Sequence, residues 1–269
     1  MLDFLKDMDN DLKKALLIQL RNLWTHTSTA IEGNTLTLGE TAFVLEEGLT
    51  VAGKPLKDHQ EVVGHARAID LVYACLEQGR PFTGADLFAL HKAVQTEIVV
   101  DVYKPIGGWK KEPNSTVGVV DGKQVIFEYA LPADVPALMT DWFKLFDEKC
   151  RDIAPGDRQQ ALSAYVCLHT TFVRIHPFFD GNGRLARLVA NFPVLKAGLP
   201  PIIIPGEQRK AYIDALSAYH HTFGQIRAGD MLFPETGNLD EFTVFCQQAW
   251  QASIDLVDEV RRKQEARRE

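Results

Sequence analysis

The chain has few of the features that mark membrane, secreted or nucleic-acid-binding proteins. No run of about 18 apolar residues is present, so the sequence predicts no membrane span. Residues 1–7 lack the basic start and the long apolar core of a signal peptide. Acidic residues outnumber basic ones by 36 to 29, and the net charge of −7 disfavours a nucleic-acid surface spread over the protein. We therefore expect no membrane partner and no nucleic-acid partner.

Cysteine is also scarce, and its four positions show no CxxC spacing. They are Cys75, Cys150, Cys167 and Cys246. This scatter indicates buried free thiols in a reducing cytoplasm, not a disulfide framework or a zinc site. What the chain does contain, 46% hydrophobic and 24% charged residues, is typical of a soluble globular protein.

Apolar residues recur at helical spacing along most of the chain, which predicts an all-α fold. Residues typical of helix ends support this assignment. Thr37 opens a T-x-x-E capping box, and a longer helix is expected from Pro55 to Gly79. His91 and His169 fall on apolar helix faces, where packed and hydrogen-bonded histidines are expected.

One segment breaks the helical pattern. Residues 115–120 and 123–128 are prone to form strands, and the Asp121-Gly122 pair between them is a strong hairpin signal. A single hairpin is too small to form a stable sheet by itself, so it must lie on the helices. The sequence therefore predicts one small β-hairpin in a helical protein.

The stretch 176–187 combines a histidine, a carboxylate, two glycines, an asparagine and two arginines between two helical segments. Backbone N–H groups at a helix start have no partner inside the helix, and Gly181 and Gly183 let oxygen atoms approach them closely. Arg184 and Arg187 are three residues apart and share a helix face. Together these groups predict a polyphosphate site.

Two further side chains of this stretch could take part in a reaction at the predicted polyphosphate site. His176 can take a proton from an incoming hydroxyl, and Asp180 is a hard oxygen ligand suited to Mg²⁺. The stretch reads HPFFDGNGRLAR and resembles the signature of the Fic family, HPFx(D/E)GNGRxxR, at every specified position. Fic domains with this signature transfer AMP from ATP to a Ser, Thr or Tyr hydroxyl of a protein.

The resemblance implies a role for each motif residue. His176 would be the base, and Asp180 would hold Mg²⁺. Phosphate contacts are implied for Gly181, Asn182, Gly183, Arg184 and Arg187, with Arg187 on the γ-phosphate. Relatives of the Doc type, which transfer a phosphate, carry a lysine in place of Gly183, so this glycine favours nucleotidyl transfer.

A second motif precedes the domain. Residues 28–34, STAIEGN, are expected to form a short helix that follows a separate first helix and ends at Gly33. They resemble the (S/T)xxxE(G/N) inhibitory motif of Fic proteins that carry it at the N-terminus. Ser28 and Glu32 lie four residues apart on one face. The resemblance implies that Glu32 forms a bidentate pair with Arg187 in the place of the γ-phosphate.

The resemblance also assigns roles outside the two motifs. A hairpin flap covers the active site in this family, and an extended segment of the target protein docks along its edge. Residues at the end of the second strand are expected near the nucleotide: Phe127, Glu128, Tyr129 and Ala130. A helix after the motif contributes to the adenosine pocket in similar proteins, which points to Tyr212, with Ile213 and His220 as further candidates. The usual arginine before the flap is Lys110 in this chain.

The expected organisation has three parts. N-terminal helices span 1–50, with the inhibitory helix at about 26–33; the Fic domain spans 51–230, with the flap at 114–129; a C-terminal helix lies in 231–269. The sequence thus predicts a self-inhibited protein adenylyltransferase that uses ATP and Mg²⁺ and modifies target proteins, including itself.

Two alternatives stay open at this point. One is a hydrolase that removes AMP from a modified protein with the help of Glu32. The other is a nucleotide-binding regulatory module without transfer, which the intact base His176 disfavours. The sequence also leaves open the target protein, other nucleotides such as UTP, and whether apolar surfaces form a homodimer.

Overall fold

The computed structural model describes residues 2–95, 101–120, 123–234 and 239–268, and within them the protein is helical apart from one pair of strands. The helices are α1 Asn10–Ile31, α2 Leu38–Glu47, α3 Leu56–Gln78, α4 Gly84–Val94, α5 Val135–Arg151, α6 Arg158–Ile175, α7 Asn182–Val189, α8 Asn191–Lys196, α9 Arg209–Phe223 and α10 Leu239–Ala266. The strands are β1 Ser115–Val120 and β2 Lys123–Glu128. The predicted all-α fold with one hairpin is confirmed.

Helix ends follow the local chemistry of the sequence. Thr37 forms the expected capping box with Glu40, and Thr83 forms another at the start of α4. α3 ends at Gly79, which adopts the left-handed conformation that glycine tolerates best. These local signals predicted the start of α2 and the end of α3.

The N-terminal segment differs from the prediction, because α1 is one continuous helix and not two. Thr25, Ser28 and Thr29 in its second half are buried against other helices. The Thr29 hydroxyl donates to the carbonyl of Thr25 at 2.9 Å. Burial of this face outweighs the low helix propensity of the threonine-rich run.

The hairpin pairs in antiparallel register, from Ser115 opposite Glu128 to Val120 opposite Lys123. Its predicted turn residues, 121–122, lie outside the described residues. β1 packs on α9, as expected for a hairpin too small to stand alone. A Cβ atom at Gly118 would lie 2.6 Å from the ring of Phe127, so glycine is needed for this close packing.

α6 is the central helix of the core and packs against α5, α7, α8 and α10. One hydrophobic cluster joins residues from all parts of the chain, including Leu16 of α1, Phe172 of α6 and Ile254 of α10. α7 and α8 form one helix interrupted at Ala190, because Pro193 has no N–H for the helix ladder. Among the described helices, none combines the length and apolar character that crossing a bilayer requires.

Candidate active site

The loop between α6 and α7 presents the start of α7 to a cleft. His176 ends α6 in the left-handed conformation, and Gly181 precedes α7 with a φ of +79°. Between them, Phe178 is fully buried and anchors the loop in the core. The Asn182 side chain accepts from the backbone N–H of Phe178 at 2.9 Å and donates to its carbonyl at 2.8 Å. The amide side chain of Asn182 therefore holds the loop, while its backbone belongs to the first turn of α7.

His176 is held as a neutral base. Its Nδ1 atom lies 3.2 Å from the carbonyl of Val173, which places the ring proton on Nδ1 and leaves the lone pair on Nε2. The ring stacks on Tyr129 with 3.7 Å between centroids and 9° between planes. Burial and the nearby charge of Lys110 lower the pKa of His176 to about 3. The imidazole is thus unprotonated and oriented at neutral pH.

The cleft has a volume of about 420 Å³ and lies between the start of α7, the hairpin and α9. The candidate residues that line it are Glu32, Phe127, Tyr129, His176, Asp180, Gly181, Asn182, Gly183, Arg187, Tyr212, Ile213 and His220. The structure therefore brings together two motifs that are about 150 residues apart in the sequence.

Arg187 and the end of α1 meet at one side of the cleft. Nε of Arg187 donates to the hydroxyl of Ser28 at 3.0 Å, and Nη2 donates to the Ser28 carbonyl at 2.9 Å. Nη2 also donates to Oε1 of Glu32 at 2.7 Å. The contact with Glu32 is a single hydrogen bond, not the bidentate pair that was predicted. A Cβ atom at Gly183 would lie 2.6 Å from the same Glu32 oxygen, so this glycine makes room for the carboxylate.

Arg184 lies behind the loop and is not among the residues that line the described cleft. It is buried, and its guanidinium donates to the Val94 carbonyl at 2.8 Å and to Oδ2 of Asp180 at 3.1 Å. Desolvation opposes the charge of Asp180, but Arg184 and the Gly181 N–H outweigh it and lower the pKa of this carboxyl. In this arrangement Arg184 holds Asp180, and its phosphate contact stays a prediction.

Asp180 fits the predicted role of a Mg²⁺ ligand. Its side chain is 65% exposed at the cleft, and its carboxylate is ionised. Within the described residues, no group of three His, Cys, Asp or Glu side chains could hold a metal by itself. One carboxylate suits Mg²⁺, which is commonly bound by one or two carboxylates together with substrate phosphates and water.

The four candidates at the end of β2 differ in whether their side chains line the cleft. Phe127 and Tyr129 line the cleft, whereas Glu128 between them is exposed and Ala130 is buried away from it. Side chains alternate between the two faces of a strand, which explains this difference; the sequence prediction did not use the alternation.

Sequence reasoning also missed several cleft residues: Ile31, Thr116, Val117, Gly118, Val173, Arg209, Leu216 and Ser217. Leu216 was identifiable, because it follows Tyr212 by four residues on α9.

Lys110, at the place of the usual arginine, is tied to the loop between α6 and α7. Its backbone N–H donates to the Pro177 carbonyl at 2.9 Å, and Nζ donates to the Asn114 side chain at 2.6 Å. Asn114 in turn donates to the Phe178 carbonyl at 2.9 Å. Burial lowers the pKa of Lys110 to about 7. Both contacts hold the segment that follows His176.

Comparison with known proteins agrees with this geometry. The sequence model of the Fic/DOC family matches residues 81–194, which include the whole motif loop. The chain belongs to the Fic/DOC family. It is 34% identical over 198 residues to the protein adenylyltransferase fic-1 of Caenorhabditis briggsae, covering 72% of this chain and 36% of that protein. It is 35% identical over 210 residues to the protein adenylyltransferase Fic of Drosophila willistoni, covering 76% of this chain and 36% of that protein.

The fold of this Fic chain also matches solved structures. A Fic-domain-containing signalling protein from Bacteroides thetaiotaomicron superposes with a TM-score of 0.77 at 26% identity, covering 95% of this chain and 93% of that one. A fragment of Fic-1 from C. elegans superposes with a TM-score of 0.68 at 25% identity, covering 94% and 66% of the two chains. The chain spans little more than a third of the curated relatives, 36% in both cases above.

Proposed function

We propose that this Fic protein transfers AMP from ATP to a Ser, Thr or Tyr hydroxyl of a protein. The observation that carries the proposal is the position of His176 in the same cleft as the first turn of α7. The imidazole has a free Nε2 lone pair, and the helix start offers N–H groups to phosphate oxygens. The relatives named protein adenylyltransferase support this activity.

In the proposed reaction, one bond forms and one bond breaks at the α-phosphorus of ATP. The target hydroxyl attacks it, the hydroxyl proton passes to Nε2 of His176, and the bond to the β-phosphate oxygen breaks to release pyrophosphate. N–H groups at the start of α7 stabilise the charge that develops on the phosphate oxygens. Asp180 would hold Mg²⁺, which neutralises phosphate charge when bound. An extended target segment on the edge of the hairpin would present its hydroxyl to the cleft by backbone hydrogen bonds.

We further propose that Glu32 inhibits the reaction. Its carboxylate occupies an N–H group of Arg187 that a γ-phosphate would need, and its negative charge repels a triphosphate. ATP would then bind with its α-phosphate misplaced for attack. Ser28 supports this state, because its hydroxyl and carbonyl fix the same arginine.

The first test compares the wild type with Glu32→Gly, using Mg²⁺ and ATP labelled at the α-phosphate. We expect the variant to label itself or an added protein about tenfold or more above the wild type, since a charge-assisted contact is lost. Glu32→Gly combined with His176→Ala is the matched control and should bind ATP but show no label. Equal labelling of wild type and Glu32→Gly would refute inhibition, and label in the control would remove His176 as base.

A second candidate function is removal of AMP from a modified protein. Glu32 lines the same cleft as His176, and its side chain is 37% exposed, so it could orient a water molecule. Incubating one AMP-modified target with the wild type and with Glu32→Gly separates the two functions. Release of AMP by the wild type, lost in the variant, would favour the hydrolase.

A further inference from the structure

We infer that Tyr212, supported by His169, is a positioning residue that fixes the guanidinium of Arg187 for a γ-phosphate. This inference rests on the proposed role of Arg187, and it gives Tyr212 a role other than the adenosine contact predicted from the sequence. It predicts that Tyr212 affects the binding of ATP but not the binding of ADP.

The N–H groups of Arg187 show how this works. A guanidinium has five N–H groups in a rigid plane. The one on Nε and one on Nη2 go to Ser28, the other on Nη2 goes to Glu32, and one on Nη1 goes to the Tyr212 hydroxyl. When Glu32 leaves, its N–H on Nη2 becomes free, and the second N–H of Nη1, which has no partner among the described residues, is free beside it. Such a pair suits the bidentate contact that arginine makes with phosphate.

The free N–H of Nη1 lies next to the phosphate-binding helix start. The position of a Cβ atom at Gly183 would be 3.2 Å from Nη1, so this nitrogen lies against the first turn of α7. Ser28 binds the Nε and Nη2 edge of the guanidinium, and Tyr212 is the partner of Nη1 among the described residues. Without the Tyr212 hydroxyl, Nη1 would lose the hydrogen bond that fixes its position.

The Tyr212 contact has two parts. The hydrogen bond from Nη1 to the hydroxyl is long, at 3.4 Å, but the guanidinium also lies over the Tyr212 ring, 5.7 Å from its centroid. Arg187 is 2% exposed, so both contacts act away from water. A Tyr212→Phe change therefore removes the hydrogen bond and keeps the ring.

His169 fixes the direction of the Tyr212 hydroxyl. Nε2 of His169 lies 3.0 Å from that hydroxyl. Arginine can only donate, so the hydroxyl oxygen accepts from Arg187; with the His169 ring proton on Nδ1, the hydroxyl donates its own proton to Nε2. Complete burial lowers the pKa of His169 well below its ordinary value, which keeps the imidazole neutral and able to accept. α6 thus supports a side chain of α9, which supports the arginine of α7.

The test measures equilibrium dissociation constants for ATP and ADP with Mg²⁺ by calorimetry, in the Glu32→Gly background. Tyr212→Phe should weaken ATP binding about three- to tenfold and change ADP binding less than about twofold. Tyr219→Phe is the matched change on the same face of α9; Tyr219 does not line the cleft and its hydroxyl donates to the Pro234 carbonyl, so this variant should leave the ratio of the two constants unchanged. Equal weakening of ATP and ADP would overturn the inference and assign Tyr212 to the adenosine; no weakening of either would also overturn it.

Two further variants separate positioning from general stability. With Arg187→Ala already present, Tyr212→Phe should have no additional effect on ATP binding. His169→Gln keeps a neutral acceptor and should retain most ATP affinity, whereas His169→Leu should behave like Tyr212→Phe. An effect of Tyr212→Phe that persists without Arg187 would contradict the inference.

These binding measurements do not depend on transfer. If Glu32→Gly labels no protein but Tyr212→Phe still weakens ATP selectively, the proposed function fails and the positioning role stands. If labelling occurs and Tyr212→Phe has no selective effect on ATP, the positioning role fails and the proposed function stands.

Discussion

His176 adopts a left-handed backbone conformation that few residues other than glycine adopt. Its φ is +53°, and Asp7 is the other non-glycine residue with positive φ in the described part of the chain. Such a conformation costs on the order of 1 kcal/mol and persists only where surrounding contacts enforce it. Here the buried Phe178 and the hydrogen bonds of Asn182 and Lys110 to the following loop enforce it. The result is a histidine directed to the cleft with its ring against Tyr129.

The low pKa of His176 predicts an unusual pH profile for transfer by Glu32→Gly. A pKa of about 3 lies well below the ordinary 6.5, so the base stays unprotonated as the pH falls from 8 to 5.5. We expect kcat/KM to change less than about twofold over this range, where a histidine of ordinary pKa would lose about tenfold. Rates of label transfer in buffers of constant ionic strength provide the measurement. An acid limb centred near pH 6.5 would contradict the prediction.

The position of the motif residues was predictable, because their signals are close in sequence. Pro177 and Gly181 place the loop between α6 and α7, as the structure has it. The partners of Tyr212 come from α6 and α7, and the partners of Arg184 come from α4 and the loop. No local pattern encodes such contacts, since they depend on how distant helices pack.

At the scale of elements, α1 contributes to the folded core and also leads into Glu32, the residue that we propose to be inhibitory. Leu16, Leu20 and Trp24 are buried in the core, and the same helix ends at Glu32. Glu32 therefore lies at the end of a helix that is anchored in the core, not on a segment that can dissociate from it. Release of Arg187 therefore requires a movement of the Glu32 side chain, while α1 and Ser28 stay in place.

This arrangement predicts that disrupting α1 unfolds the protein and does not simply activate it. Leu20→Ala should lower the free energy of unfolding by about 2–5 kcal/mol, because the side chain is fully buried. Gln19→Ala, on the exposed face of the same helix, should change it by less than about 0.5 kcal/mol. Urea unfolding followed by circular dichroism provides the measurement. A Leu20→Ala protein of unchanged stability would show that α1 is dispensable for folding.

Element boundaries were predicted best where a cap or a turn marks them. Thr37, Gly79 and both strand ends agree with the structure. The continuity of α1 was not predicted, because the run from Thr25 to Thr29 has low helix propensity and only tertiary burial makes it helical. Propensity is local, whereas the burial that overrides it depends on the whole fold.

At the scale of the whole molecule, neutral histidines are buried on several helices. Burial is the main cause that lowers the pKa of five of them: His65, His91, His169, His176 and His220. A histidine with a lowered folded pKa contributes its full stability above about pH 6.5. That contribution is lost as the pH falls from 6.5 towards the folded pKa, because the unfolded chain binds the proton first.

The folded protein should therefore be sensitive to mild acid. Between pH 7.5 and 5.5, each of these histidines should lower the free energy of unfolding by an amount on the order of 1 kcal/mol. We expect urea midpoints to drop steeply between pH 6.5 and 5.5 and less between pH 8.5 and 7.5. The same variation of midpoint with pH in the two windows would mean that the buried histidines are not neutral in the folded state.

The contact between a half-exposed Glu32 and a buried Arg187 has a consequence for how the molecule responds to its surroundings. If Glu32 takes the place of a γ-phosphate, the carboxylate is a competing ligand tethered to its own site, with an effective concentration set by the fold. Dilution of the protein cannot release it, but a rise in ATP can. The wild-type chain would then respond to the ATP concentration around it, with a threshold set by the strength of one hydrogen-bonded ion pair.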